Sequence, residues 1–143
     1  MNLTAPSTPP ASPPVELGEL LEGGLAPAIL PIIERGARHR PELARRLMME
    51  VELVVAGGHP PVRIRLRGID GITVEDGAAA GADVRITGEL PDVVALLVTP
   101  LLAGVPSPID RRGRATLGRL AGRRIRLEGR IGLLRAFLAL IRI

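Results

Sequence analysis

Few residues in this chain could do covalent chemistry. Serine occurs only at positions 7, 12 and 107, histidine only at 39 and 59, and cysteine, tyrosine, tryptophan and lysine are absent. A Ser-His-Asp arrangement would need Ser107, and nothing places a histidine beside it. Without lysine there is no P-loop of the usual kind and no Schiff base. Without cysteine there is no thiolate nucleophile, disulfide framework or cysteine metal site. Gly113, Gly118 and Gly122 have the spacing of a phosphate cradle. The cradle needs the order strand, glycine loop, helix, with a lysine following, and neither condition is met. Asp70, Glu75 and Asp76 could crowd one turn as hard-cation ligands, but a solvated turn is the simpler reading. His39 lies in the basic link Arg38-His39-Arg40 and His59 in a Gly-Gly-His-Pro-Pro connection. Both read as solvated linker and turn residues. No carboxylate pair suited to acid–base work can be identified. The chain therefore reads as a non-enzyme, with no catalytic residue, no metal site and no cofactor.

What remains is apolar surface and the elements that position it. Over residues 61–88, Val62, Ile64 and Leu66 alternate with Arg63, Arg65 and Arg67. A period of two puts the aliphatics on one face of a sheet and the guanidiniums on the other. Ile72 and Val74 repeat the alternation, as do Val84 and Ile86, with turns rich in Gly, Asp and Ala between them. Residues 49–56 read as the first strand, whose Glu50 and Glu52 should face the arginines of the next. Residues 123–130 read as the last strand.

Residues 15–47 read as helical with breaks. Val15, Leu17, Leu20 and Leu21 would line a short helix. Pro27 and Pro31 should leave a short or kinked helix over 28–36, and Pro41 should open another over 41–48. Residues 91–103 form an apolar helix that Pro100 should kink or end, 104–108 a loop, and 110–122 a short helix. Residues 131–143 form a closing helix, apolar around most of its girth and far short of the about 20 apolar residues that span a bilayer. The expected fold class is α+β: a single five-stranded, mostly antiparallel sheet with helices packed on one apolar face. Residues 1–14, rich in proline, are expected to be a disordered tail, and 15–143 a single domain.

Nineteen basic and fifteen acidic residues give a net charge of +4. The signs alternate along the strands, as solvated faces and cross-strand pairs do. One phenylalanine is the whole aromatic complement, which closes the base-stacking mode of nucleic-acid binding. The tail has neither the basic nor the apolar region of a signal peptide, so a cytoplasmic location is expected. The arginine face is compatible with transient contact at an anionic membrane surface.

Three segments in order, Ile72-Thr73-Val74-Glu75-Asp76-Gly77, Ala82-Asp83-Val84-Arg85-Ile86-Thr87-Gly88 and Asp92-Val93-Val94-Ala95-Leu96-Leu97, are followed by Arg124-Ile125-Arg126-Leu127-Glu128-Gly129 and a final apolar helix. Over residues 49–143 this progression resembles the sterol carrier protein type 2 family. The resemblance implies an α+β fold with an apolar tunnel between sheet and helices. It also implies binding of fatty acyl chains, sterols or other lipids without cofactor or catalysis; some bacterial relatives are similar to accessory factors of isoprenoid-quinone synthesis. The peroxisomal tripeptide of eukaryotic carriers is not matched by Ile141-Arg142-Ile143. Carried onto this sequence, the ligand-binding residues are Val84, Ile86, Val93, Leu96, Leu97, Leu101, Ile125 and Leu127. Position alone adds Leu134, Phe137, Leu138 and Ile141 of the closing helix.

Two readings follow. In one, the chain carries an apolar lipid in a tunnel, with the closing helix as a lid. In the other, the same residues form a collapsed core, and the closing helix docks a twin copy, as a homodimer, or an enzyme partner. A filled core and a lined cavity share one sequence signature, because both need aliphatics.

Overall fold

The computed structural model of the chain describes residues 12–98, 101–102, 105–106 and 125–141. The Val/Ile/Leu–Arg alternation becomes strand β3 (Val62–Arg67), flanked by β2 (Met48–Val55) and β4 (Ile72–Asp76). β3 pairs antiparallel with both. Glu50 lies opposite Arg65 and Glu52 opposite Arg63, so the expected charge pairing across the strands is present. The inward residues Val51, Leu53, Val62, Ile64, Leu66, Ile72 and Val74 are buried.

Two further strands change the sheet from the five mostly antiparallel strands expected. β1 (Val15–Leu17) pairs parallel with β4, and β5 (Val84–Gly88) pairs parallel with β2. With β8 (Ile125–Gly129) antiparallel to β5, the order is β1-β4-β3-β2-β5-β8, a mixed six-stranded sheet. The stretch Val15–Leu17 was expected to be helical. It is bounded by Pro13-Pro14 and Gly18, too short to nucleate a helix. It instead extends the ladder: Ile72 N–H donates to Pro14 O at 2.8 Å and Gly18 N–H to Val74 O at 2.9 Å. Leu20 and Leu21, placed on that helix by sequence, lie exposed in the following loop.

Residues 77–83 were expected to reverse the chain. They cross over β3 and β2 instead, on the charged face, and this is why β5 runs parallel to β2. Two contacts hold the crossing. Arg63 Nη1 donates to Ala78 O at 3.1 Å and Ala79 N–H donates to Glu52 Oε2 at 2.8 Å. Small residues suit a segment that lies flat on a sheet.

The helices lie on the other face. α1 (Ala26–His39) runs through both prolines rather than stopping at them. Pro27 sits in the first turn, where no helical N–H is needed, and Pro31 faces solvent. Its buried stripe, Ala26, Ile29, Ile33, Gly36 and Ala37, has helical spacing. α2 (Pro41–Arg46) ends two residues earlier than expected because Met48 already pairs with Arg67.

α3 (Leu90–Val98) also stops short of the expected end at 103. A proline at 100 cannot supply a helical N–H, and it disfavours helical backbone in the residue before it. Leu101–Leu102 (β6) and Val105–Pro106 (β7) pair as a two-residue antiparallel ribbon, where helix and loop were expected. The closing helix α4 (Ile131–Ile141) is as expected. It packs against α1, α2 and α3. At Gly36 of α1 the approach is so close that a Cβ would collide with the Leu140 backbone carbonyl. Residues 1–11 of the tail expected over 1–14, and the short helix expected over 110–122, lie outside the described residues.

Candidate functional site

The apolar residues proposed from sequence as ligand contacts converge. Ile86 of β5 pairs with Leu127 of β8, and Val84 lies two residues along the same face. Val93, Leu96 and Leu97 descend onto them from α3, and Leu134, Phe137, Leu138 and Ile141 from α4. With Ile125 they belong to one buried apolar cluster, and Leu127, half-buried, packs against it. Leu101 falls instead in the β6–β7 ribbon. Residues not singled out from sequence complete the layer: Ile29 and Ile33 from α1, and Leu140 from α4. The spacing of Ile29 and Ile33 was the available signal.

The helical period explains why α4 can do this. Leu134, Phe137, Leu138 and Ile141 recur at three and four residues, so they share a face. Phe137 is fully enclosed, with 0% exposure. At the end of this helix, Arg35 of α1 reaches over. Its Nη2 donates to Ile141 O at 3.5 Å, and its Nε is buried without a hydrogen-bond partner. A cation suits the last turn of a helix, where carbonyls lack donors.

The acidic residues of the sheet are structural. Glu75 and Asp76 were read as a solvated turn; they are the buried end of β4, while Asp70 lies exposed in the 3₁₀ turn Gly68–Asp70. Asp76 Oδ2 accepts the Leu21 N–H at 2.9 Å, and Oδ1 accepts the Ala26 N–H at 3.0 Å. The second bond satisfies an orphan donor of the first turn of α1 and places negative charge at its positive end. Glu75 accepts from Arg63 Nε at 2.8 Å and from the Glu19 N–H at 3.1 Å. Burial alone would raise its carboxyl. The Glu19 amide, the Arg63 hydrogen bond and the charges of Arg63 and Arg65 outweigh burial and hold it below its ordinary value. Glu52 accepts from Arg85 Nε at 2.6 Å. Asp83 and Glu50 bond reciprocally: Asp83 N–H donates to Glu50 O at 2.8 Å, and Glu50 N–H to Asp83 Oδ2 at 2.9 Å.

His39 ends α1, exposed, and His59 Nδ1 lies 3.1 Å from Gly23 O in the exposed connection between β2 and β3. Among the described residues, no group of three or more His, Asp or Glu is placed to hold a metal ion. Ser107 and the glycines at 113, 118 and 122 lie outside them. Among the described residues, no helix is long and apolar enough to cross a membrane.

No family model matches the sequence. No curated protein matches it either. Solved structures do. The ubiquinone synthesis protein UbiJ-SCP2 superposes with a TM-score of 0.55 at 14% identity, over 82% of this chain and 89% of its own. The inverting sec-alkylsulfatase of a Pseudomonas species superposes at 0.51 with 15% identity, over 71% of this chain but only 14% of the enzyme. Sterol carrier protein 2 like 2 of Aedes aegypti is 23% identical over 81% of this chain and 97% of its own; its TM-score of 0.46 is too low to bear on the fold. The mixed sheet, the helices gathered on its apolar face and the likeness to UbiJ-SCP2 make the fold of this chain SCP-2-like.

Proposed function

We propose that the chain binds and carries an apolar lipid, of fatty acyl, sterol-like or isoprenoid type, between the β5–β8 end of the sheet and helices α3 and α4. The observation that carries this reading is the convergence of Val84, Ile86, Val93, Leu96, Leu97, Ile125, Leu134, Phe137, Leu138 and Ile141 from four separate elements into one aliphatic layer. Leu127 would line its margin. Binding of this kind needs enclosure and burial of methylenes, at about 0.8 kcal/mol each, and no catalytic group. Ten methylenes contribute about 8 kcal/mol, the free energy of micromolar binding before the cost of association is subtracted. The SCP-2-like fold supports a carrier role at the level of architecture.

A second reading has its own support. Val84, Ile86 and Phe137 are completely buried among protein neighbours, as in a core that needs no ligand, and UbiJ-SCP2 is a ubiquinone synthesis protein. In this reading the chain is a scaffold that docks an enzyme of isoprenoid-quinone synthesis, or a second copy of itself, through α4.

Native mass spectrometry of the freshly purified chain, with organic extraction, separates the two. A discrete adduct that extracts as a lipid establishes the carrier. A clean apo mass, with no uptake of fatty acid, sterol or quinone, refutes it and leaves the scaffold.

A further inference from the structure

The inner strands of the sheet have a partner on each side. Those at its ends, β1 and β8, have one each among the described residues. An unpaired edge is a template for another strand. β1 offers little: it is three residues long, and its one charge is an acid, Glu16. β8 runs for five residues, Ile125-Arg126-Leu127-Glu128-Gly129. Arg130 N–H donates to Asp83 O at 3.2 Å, and Glu128 and Arg126 lie opposite Arg85 and Thr87 of β5. Backbone groups alternate in direction along an antiparallel strand. Those of Arg126, Glu128 and Arg130 therefore turn toward β5. Those of Ile125, Leu127 and Gly129 turn outward, where no strand among the described residues meets them.

The side chains make this edge complementary to itself. Leu127, half-buried, sits at its centre, with Arg126 before it and Glu128 after it. Both charges lie on the outer face of the sheet, and their side chains are 75% and 46% exposed. Their partners within the chain are distant: Arg126 and Glu128 stand 4.0 Å apart, and Glu128 lies 3.8 Å from Arg85. A two-fold axis through Leu127 turns Arg126 of each copy onto Glu128 of the other. It sets Ile125 beside Gly129, which has no side chain to obstruct it, and it pairs the outward backbone groups of Leu127 with those of its counterpart. Arg126 and Glu128 then fall between hydrogen-bonded pairs, where facing side chains come closest. A run of one sign would repel a second copy; one charge of each sign about a central leucine attracts it.

We infer that β8 is an interface with a second copy of this chain: two β8 strands pair antiparallel about Leu127 and join two sheets into one. The interface is distinct from α4 and independent of whether the core holds a lipid. A five-residue ladder with two exposed ion pairs belongs to the small, weak class of interface, so the dimer forms at high protein concentration.

The test is sedimentation equilibrium of the full chain over a concentration series up to about 1 mM, the range of a weak association. Arg126→Glu and Glu128→Arg each set like charges face to face, and the dissociation constant should rise about tenfold or more. The double variant Arg126→Glu/Glu128→Arg restores opposite charges and should dimerise as the parent does. An equal mixture of the two single variants should form the heterodimer in preference to either homodimer. Should a single variant not fold, as judged by circular dichroism, oxidative cross-linking reads the same register, since the chain has no cysteine of its own. Arg126→Cys mixed with Glu128→Cys places the two sulfurs on facing residues whose Cα atoms are about 4.5 Å apart, within reach of a disulfide. The cross-link should form in the mixture and in neither variant alone. A monomer at every concentration overturns the inference. So does a dimer that both single charge variants leave intact, one that neither the swap nor the mixture restores, or a cross-link that forms as readily in one cysteine variant alone.

Discussion

Phe137→Ala tests the carrier and the scaffold against each other with one side chain. Phe137 is the chain's one aromatic residue, fully enclosed on the inner face of α4. Truncating it removes the burial of the ring and leaves a void, costing about 3–5 kcal/mol where the surroundings cannot collapse. The neighbours come from four elements already in contact, so little collapse is expected. If the layer binds lipid, the void enlarges the site. Saturating ligand then restores stability by mass action, about 2.7 kcal/mol at a hundredfold excess over Kd. Urea denaturation followed by far-UV circular dichroism, on delipidated protein with and without fatty acids of increasing length, reads both quantities. The carrier predicts recovery, with a preference shifted to longer chains than the parent takes. A 3–5 kcal/mol loss that no lipid repairs refutes the carrier. A loss under about 1 kcal/mol refutes the premise that Phe137 fills a tight space.

Asp76→Ala leaves the Leu21 and Ala26 amides without their acceptor, at about 1–3 kcal/mol for each buried donor. A total near 2–6 kcal/mol is expected in urea denaturation, with Asp76→Asn milder because one acceptor remains. The Glu75 carboxyl is held below its ordinary value of 4.5 in the folded chain. Its contribution to stability is therefore complete above that value and lost as pH falls through the lower folded value; Glu75→Gln should flatten this acid limb of the stability profile. Gly36→Ala gains up to about 1 kcal/mol of helix propensity but forces α1 away from the Leu140 carbonyl, at about 1–3 kcal/mol. Thermal denaturation should show a net loss; a raised Tm would mean that α4 does not pack so tightly on α1.

The central strands were legible because alternation is local: Val62, Ile64 and Leu66 announce an inner face whatever lies around them. The charge ladder was legible for the same reason. β1 was not, because three residues hold no period and their partner, β4, lies more than fifty positions on. Whether residues 77–83 turn back or cross over is decided by Ala78 and Ala79 meeting Arg63 and Glu52, which no spacing rule contains. The run of small residues was the one available hint. Two prolines obscured α1, although the stripe Ala26, Ile29, Ile33 and Ala37 was there to be read. Consecutive Glu75 and Asp76 should have signalled that at least one carboxylate points off the polar face, since neighbours in a strand face opposite ways. The candidate ligand residues converge because the family resemblance ordered their segments correctly, not because aliphatics distinguish a lining from a core.

Two kinds of force hold the two ends of this molecule. At the β1–β4 end, hydrogen-bonded carboxylates fix backbone to backbone: Asp76 ties the start of α1 and Glu75 ties Glu19. Such bonds are directional and costly to leave unmade when buried, so this end must move as a unit or not at all. At the β5–β8 end, α4 meets the sheet through Leu134, Phe137, Leu138 and Ile141, and it meets α1 with a long Arg35 hydrogen bond. Apolar contact is non-directional, and a hydrocarbon ligand would replace it with contacts of the same kind. A ligand that parted α4 from β5 and β8 would break few directional bonds, whereas one that parted α1 from β4 would break the carboxylate anchors. In the carrier reading proposed above, the distribution of polar anchors, more than the presence of aliphatics, therefore favours the α3–α4 side of the fold.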